Sequence, residues 1–274
     1  MINKTPFSVS MCVYGGDNAE HFRLAVDSVL NQTIQPDEVV LVVDGPVPSV
    51  LEAVILEYEK LPCFKVIRLK ENQGHGIARR TSLENCTYDI VALMDADDIS
   101  VPTRFEKQLS ALSSDLSLSI VGGNISEFVD LENHIVGYRN VPSSDEDIKE
   151  YLKKRCPMNQ VTVMFKKKDV NEAGGYLDWY CEEDYYLWIR MCLKNMRFLN
   201  IPEVLVHVRV GEEMYRRRGG FRYFKSELKL QKYMLKNKVI GFPTYFINVS
   251  KRLIVQVLLP NRLRGWVFRK FARS

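Results

Sequence analysis

The sequence has no Cys-x-x-Cys pair, no internal repeat, no low-complexity linker and no uncharged apolar run of the roughly 18 residues that a spanning helix needs. Its six cysteines (Cys12, Cys63, Cys86, Cys156, Cys181 and Cys192) lie far apart. That spacing argues against a zinc module and fits free thiols in a reducing compartment. MINKTPFSVS has no apolar stretch behind its lysine, so no secretory signal is expected and a cytoplasmic protein is the default. The phosphate-cradling GxxxxGK[ST] loop and the dinucleotide GxGxxG spacing are both missing, which removes the commonest nucleotide-binding classes.

What is present is an ordinary globular composition. Of 274 residues, 46% are hydrophobic and 26% charged, enough for one large domain or a domain with an appendage. The net charge of +4 hides an asymmetry. From Arg209 to Ser274 there are 17 Lys and Arg against 3 Asp and Glu, which leaves 21 against 31 in residues 1–208. An acidic body does not suit a nucleic acid, and none is expected as a partner. The basic end is either a solvated surface or a contact for phosphate or an anionic lipid surface.

Along the first hundred residues strand and helix periods alternate. Residues 7–13, 38–43, 64–69 and 89–94 read as strands; 19–31, 49–60, 74–85 and 102–112 read as helices. Short connections between them imply a parallel sheet with helices on both faces, an α/β fold. Ligands in such sheets collect beyond the carboxyl ends of the strands. Asp44, Asn72 and Asp95 to Asp98 all fall there and are expected to share one crevice. Further on, 119–129 and 135–141 suggest antiparallel strands, 145–155 a charged helix, 161–166 a strand, Cys181 to Asn195 a helix and 203–210 a strand. A basic helix is expected from Phe221 to about Lys238, followed by an amphipathic stretch over 245–259.

Three local patterns carry chemistry. Asp95-Ala96-Asp97-Asp98 gathers three carboxylates that repel unless a cation or donors sit among them. The cluster is either a hard-cation site for Mg2+ or Mn2+ or a solvated turn ahead of the next helix. Glu182-Glu183-Asp184 opens an apolar helix, either complementing its dipole or supplying a general base. Asn72 to Arg80, NQGHGIARR, brings glycines and arginines to a helix entrance suited to an anion, and His75 reads as a loop histidine.

VSMCVYGGDN, VLVVDG, ENQGHGIARR, IVALMDADD and EEDYYLWIRM, in this order, resemble the family 2 inverting glycosyltransferases of GT-A fold. MYRRRGG followed by LLPNRLRGWVFRK resembles the bacterial exopolysaccharide and O-antigen branch. The resemblance implies a Rossmann-like catalytic domain over 1–215 and a basic helical extension over 216–274. It implies that Val13 and Tyr14 line the pocket for the base and that Asp44 accepts from a uracil-type ring. Asn72 and Arg79 would lie on the nucleotide, with Arg79 near its diphosphate. Asp95 would contact the ribose or the metal, and Asp97 would ligate Mn2+ or Mg2+. The basic tail itself offers Arg216, Arg217 and Arg218 as a cap over the diphosphate of the donor or of a lipid-linked acceptor. Asp184 would be the general base, with Glu183 beside it in the catalytic pair. Gly15 stands where many relatives carry Asn, and Arg80 where Asn is usual. The implied partners are a nucleoside-diphosphate sugar, a glycan acceptor on a polyprenyl diphosphate and an anionic membrane face. Two rival functions are weighed beside this one. A nucleotidyltransferase wants a basic activation loop after the first strand, and YGGDN has no cation. A non-catalytic adaptor would need neither Asp97 nor Asp184.

Overall fold

The computed structural model describes residues 5–211 and 219–259. Four parallel strands, β1 (Phe7–Tyr14), β2 (Glu38–Asp44), β3 (Phe64–Arg68) and β4 (Ile90–Met94), form one half of a nine-stranded sheet in the order β3-β2-β1-β4. α1 (Ala19–Leu30), α2 (Ser49–Tyr58) and α3 (His75–Asn85) connect them. The near-continuous apolar run of β2 is explained by burial on both faces. Val39, Leu41 and Val43 face the cluster containing Phe22, Val26 and Ile55 of α1 and α2. Val40 points the other way, into the cluster containing Leu83 of α3. Each fully buried Val, Leu or Ile of this kind contributes about 1.5–3 kcal/mol. Asn18 starts α1, its side chain accepting from the amides of Glu20 and His21.

The second half of the sheet is mixed. β5 (Ile99–Ser100) and α4 (Arg104–Ser114) follow β4, and then come β6 (Leu118–Phe128), β7 (Ile135–Arg139) and α5 (Asp145–Leu152). A 3-10 turn at Gln160–Thr162 leads into β8 (Met164–Lys166), followed by α6 (Lys167–Glu172), α7 (Glu183–Leu193) and β9 (Arg197–Arg209). The order continues β4-β8-β6-β9-β5, with β7 antiparallel to the outer half of β6. β6 is buried along its whole length and pairs in parallel with β9.

Several boundaries differ from the sequence reading. The strand expected over 161–166 is only three residues long. Thr162 is turned into β6 instead, its hydroxyl accepting from the Gly123 amide at 3.0 Å and its carbonyl from Gln108 at 2.7 Å. The strand expected to start at 203 starts at Arg197 and passes Pro202 through an irregularity opposite Gly123 and Asn124. Proline cannot donate to a ladder, so pairing skips it. The helix expected over Cys181 to Asn195 is shorter at both ends, where Cys181 and Asn195 take positive φ of 58°. β5 was not expected; it pairs antiparallel with His207 and Val206 of β9.

α8 (Phe221–Lys236) and α9 (Phe242–Leu253), with a π-helical turn at Ile254–Leu258, close the described chain. Leu230, Met234 and Ile240 join the same core cluster as Trp188 and Leu187 of α7. The boundary expected between residues 215 and 216 falls outside the described residues. No helix among the described residues is long and apolar enough to cross a membrane.

Candidate active site

The carboxyl ends of β1, β2 and β4 deliver three loops to one edge of the sheet. Tyr14 and Asp44 are register partners at the last rungs of β1 and β2. Tyr14 is exposed, whereas the Val13 side chain is buried in the core with Val43. Asp44 is buried, and its two oxygens accept from the amides of Gln73 (2.7 Å) and Gly74 (3.0 Å). Asn72 Nδ2 returns a bond to the Asp44 carbonyl at 3.3 Å. Gly45 follows with φ of +85°, and a Cβ there would meet Asn72 N at 2.5 Å. Backbone packs on backbone, so only glycine fits.

The acidic turn after β4 is held from below and from the side. Arg79, almost wholly buried, donates Nη1 to the carbonyls of Ser10 (3.1 Å) and Met94 (3.3 Å) and Nη2 to Asp95 Oδ1. Arg79 thus sits beneath the turn, bonded to one of its acids. Burial is the largest influence and opposes its charge, but Asp95 together with Cys12, Tyr176 and Glu183 outweighs it, leaving its pKa raised. Asp98 is buried and accepts from the Arg209 amide at 2.8 Å, which ties the turn to the end of β9. Burial, then Asp97 and Asp95, push the Asp98 carboxyl well up.

Asp97 is open to solvent. Crowding by the surrounding protein and then the charges of Asp95 and Asp17 raise its pKa to about 6. Asp17 belongs to the loop after β1, where its Oδ2 accepts from the Tyr14 amide at 2.9 Å. Acids from two strand ends therefore concentrate negative charge at one place. Among the described residues no group of three His, Cys, Asp or Glu is arranged to enclose an ion alone. Oxygen ligands left partly open suit Mg2+ or Mn2+, which commonly complete their shells with water and phosphate oxygens. The donor set fits such an ion.

The α7 start reaches the same region through a bonded path. His75, the first residue of α3, lies with Nδ1 2.8 Å from Glu183 Oε1, while its Nε2 accepts from Arg79 Nε at 3.2 Å. Asp95, Arg79, His75 and Glu183 thus form one continuous chain, although His75 and Glu183 are 108 residues apart in sequence. Asp184, the next residue, is half-buried and accepts from the Tyr185 amide at 2.6 Å. Cys156 Sγ lies 3.9 Å from Asp184 Oδ2, and burial followed by the Asp184 charge pushes that thiol well up, so it stays protonated. Trp179 stacks obliquely on Tyr186 at 4.3 Å, which meets Tyr233 of α8 edge-on at 4.9 Å. Arg216 and Arg217 lie outside the described residues. His75, Asp17 and Arg209 were not singled out from the sequence as site residues. Their partners are remote along the chain, and no short-range pattern marks them.

With that geometry in place, similarity to known proteins is decisive. The sequence profile of Glycosyl transferase family 2 matches residues 8–171. The chain belongs to glycosyl transferase family 2. It is a glycosyltransferase. It is 37% identical over 236 residues to the amylovoran biosynthesis glycosyltransferase AmsE of Erwinia amylovora, covering 86% of this chain and 88% of that one. It is 34% identical to a UDP-Gal:alpha-D-GlcNAc-diphosphoundecaprenol beta-1,3-galactosyltransferase of Escherichia coli, covering 100% of this chain and 99% of that one. Among solved structures, the mannosyltransferase PcManGT of Pyrobaculum calidifontis, in complex with GDP-Man and Mn2+, superposes with a TM-score of 0.63. That match covers 96% of this chain and 72% of the other at 16% identity, so it speaks for the GT-A fold alone.

Proposed function

We propose that the chain is a metal-dependent, inverting glycosyltransferase. It moves a sugar from a UDP-sugar to a hydroxyl of a polyprenyl-diphosphate-linked glycan, at the inner, anionic face of a bacterial membrane, in surface-polysaccharide assembly. The Escherichia coli relative is named for a lipid-diphosphate acceptor and a UDP donor, and the Erwinia relative for polysaccharide biosynthesis. The observation that carries the reading is the bonded path from Asp95 to Glu183, which ties the acidic turn to the residue next to Asp184.

Tyr14, Asp44 and Asn72 edge the donor's base pocket, and the backbone of Val13 forms its floor. Asp97, with the second oxygen of Asp95, would hold the Mn2+ or Mg2+. When bound, that ion neutralises charge on the departing diphosphate. Arg79 orients Asp95. Asp184 takes the proton from the acceptor hydroxyl as its oxygen attacks the anomeric carbon opposite the leaving group, so configuration inverts. Glu183, held by His75, fixes the helix start that aims Asp184. The protonated Cys156 beside it does not compete as a base.

The test is a transfer assay with purified protein, Mn2+, a series of UDP- and GDP-sugars and a GlcNAc-diphosphate-lipid acceptor, with product anomers read by NMR. One UDP-sugar should yield product of inverted configuration. Retained configuration, or nucleotide release no faster than without protein, overturns the proposal.

A further inference from the structure

α9 is turned inside out for a helix on a water-soluble surface. Apart from exposed Lys251, its long polar side chains face inward. Asn248, 5% exposed, donates to the Lys153 carbonyl and to Gln231 Oε1 of α8, both at 2.9 Å. One turn on, Arg252 pairs with buried Glu227 of α8 and donates to the Lys154 carbonyl at 3.1 Å. Gln256, a further turn on, is 4% exposed. The apolar residues face outward: Phe242 is 67% exposed, Phe246 63%, Ile254 51% and Leu258 66%. Phe242 and Phe246 are four apart and share a face with Leu253, as the helical repeat requires. A helix packed for water would show the reverse arrangement. Here the polar side fastens the helix to α8 and to the end of α5, and none of the described residues covers the apolar side.

The neighbouring charge says what covers it. Arg222, Lys225, Lys229, Lys232 and Lys236 of α8 are all exposed and spaced three and four apart, so they form one stripe. The only acid of α8, Glu227, is turned inward to Arg252. In the sequence, residues 260–274 hold five basic side chains and no acidic one. From α8 onward the chain therefore carries both exposed cations and exposed large apolar side chains. The chemistry that takes both is a bilayer interface carrying anionic headgroups. Packed against itself in a second copy, this face would set like charges against each other.

We infer that the outward face of α9 is a monotopic membrane anchor. Phe242, Phe246 and Leu253 enter the headgroup–acyl boundary, while Asn248 and Arg252 hold the helix to the catalytic body. This rests on the reading that the enzyme works at a membrane, and it names the surface that does so. The anchor is fixed to the catalytic machinery: Ser226 of α8 donates to the Tyr180 carbonyl at 2.6 Å, four residues before Asp184.

The test uses the full chain and a Phe242→Ser/Phe246→Asp double variant, both sites being solvent-facing. Each is floated with phosphatidylcholine vesicles with and without phosphatidylglycerol, and each is assayed on a short-chain, water-soluble acceptor. The unsubstituted chain should float with anionic vesicles. The double variant should partition at least about tenfold more weakly with unchanged turnover on the soluble acceptor. If both chains float equally, the α9 assignment fails while the membrane reading survives. If the unsubstituted chain does not float, the membrane reading itself fails. If the unsubstituted chain dimerises in sedimentation and the variant does not, the face belongs to a second copy and the inference is overturned.

Discussion

His75 Nδ1 stands 2.8 Å from Glu183 Oε1, and its other ring nitrogen accepts from Arg79. Because Nε2 is the acceptor, the proton sits on Nδ1 and points at the Glu183 carboxylate. The ring is a strut between the first turn of α3 and the helix that carries Asp184. His75→Ala is expected to lower kcat by about ten- to a hundredfold with little change in donor KM. His75→Asn should recover part of the loss. Steady-state kinetics decides the point; a drop confined to KM would mean that His75 serves donor binding instead.

Asp184→Asn keeps size and shape and removes the acceptor of a proton. Turnover should fall about a hundredfold or more. Donor affinity, measured by calorimetry with UDP and Mn2+, should stay within about twofold of the unsubstituted chain. Normal turnover would remove Asp184 from the role of base.

Asp97→Ala should abolish the part of UDP affinity that depends on Mn2+. Thermal shifts with UDP, with and without the ion, read this directly. In the unsubstituted chain the ion should increase the shift; in the variant the two curves should coincide. An undiminished ion effect in Asp97→Ala would reassign the acidic turn as a helix-capping feature.

Glu182 caps α7 from a buried position, facing Glu227, Asp184, Tyr223 and Arg252. Burial, then Glu227 and Asp184, raise its pKa well above the ordinary 4.5. A carboxyl whose native pKa exceeds its unfolded one takes up a proton on folding. Its contribution is therefore complete below the unfolded value and is lost as pH climbs through the native value. Glu182→Gln should accordingly raise the unfolding midpoint more at about pH 8 than at about pH 5. Melting curves at the two pH values test this, and an equal or reversed effect would refute the assignment of Glu182 as a buried acid.

The parallel half of the sheet was legible because its signals are local. β2 reads as a strand from its unbroken valines, and α1 as a helix from Phe22, Val26 and Val29. The meeting of Asp44 with the loop before α3 followed from the rule that strand ends converge. Elements that depend on a distant partner were not legible. β5 is two residues long and exists because Val206 and His207 stand beside it. β9 was read from 203 because Pro202 interrupts the pattern, whereas β6 supplies a partner strand on both sides of the break. The amphipathic stretch near 245–259 was visible, but not which side of it turns inward. That choice is made by Gln231 and Glu227, which meet Asn248 and Arg252 only once α8 and α9 have packed. His75 passed as a loop histidine for the same reason: its meaning lies in Glu183.

The close seating of Gly45 against Asn72 has a bearing on redesign. The turn that ends β2 and the stretch that opens α3 are fitted to each other main chain to main chain, with the Asp44 carboxylate clasping two amides across the seam. They form a single lip at the carboxyl edge of the parallel strands. Grafting either segment alone from a relative with another sugar-nucleotide preference leaves a mismatched seam; the two must be exchanged as a pair.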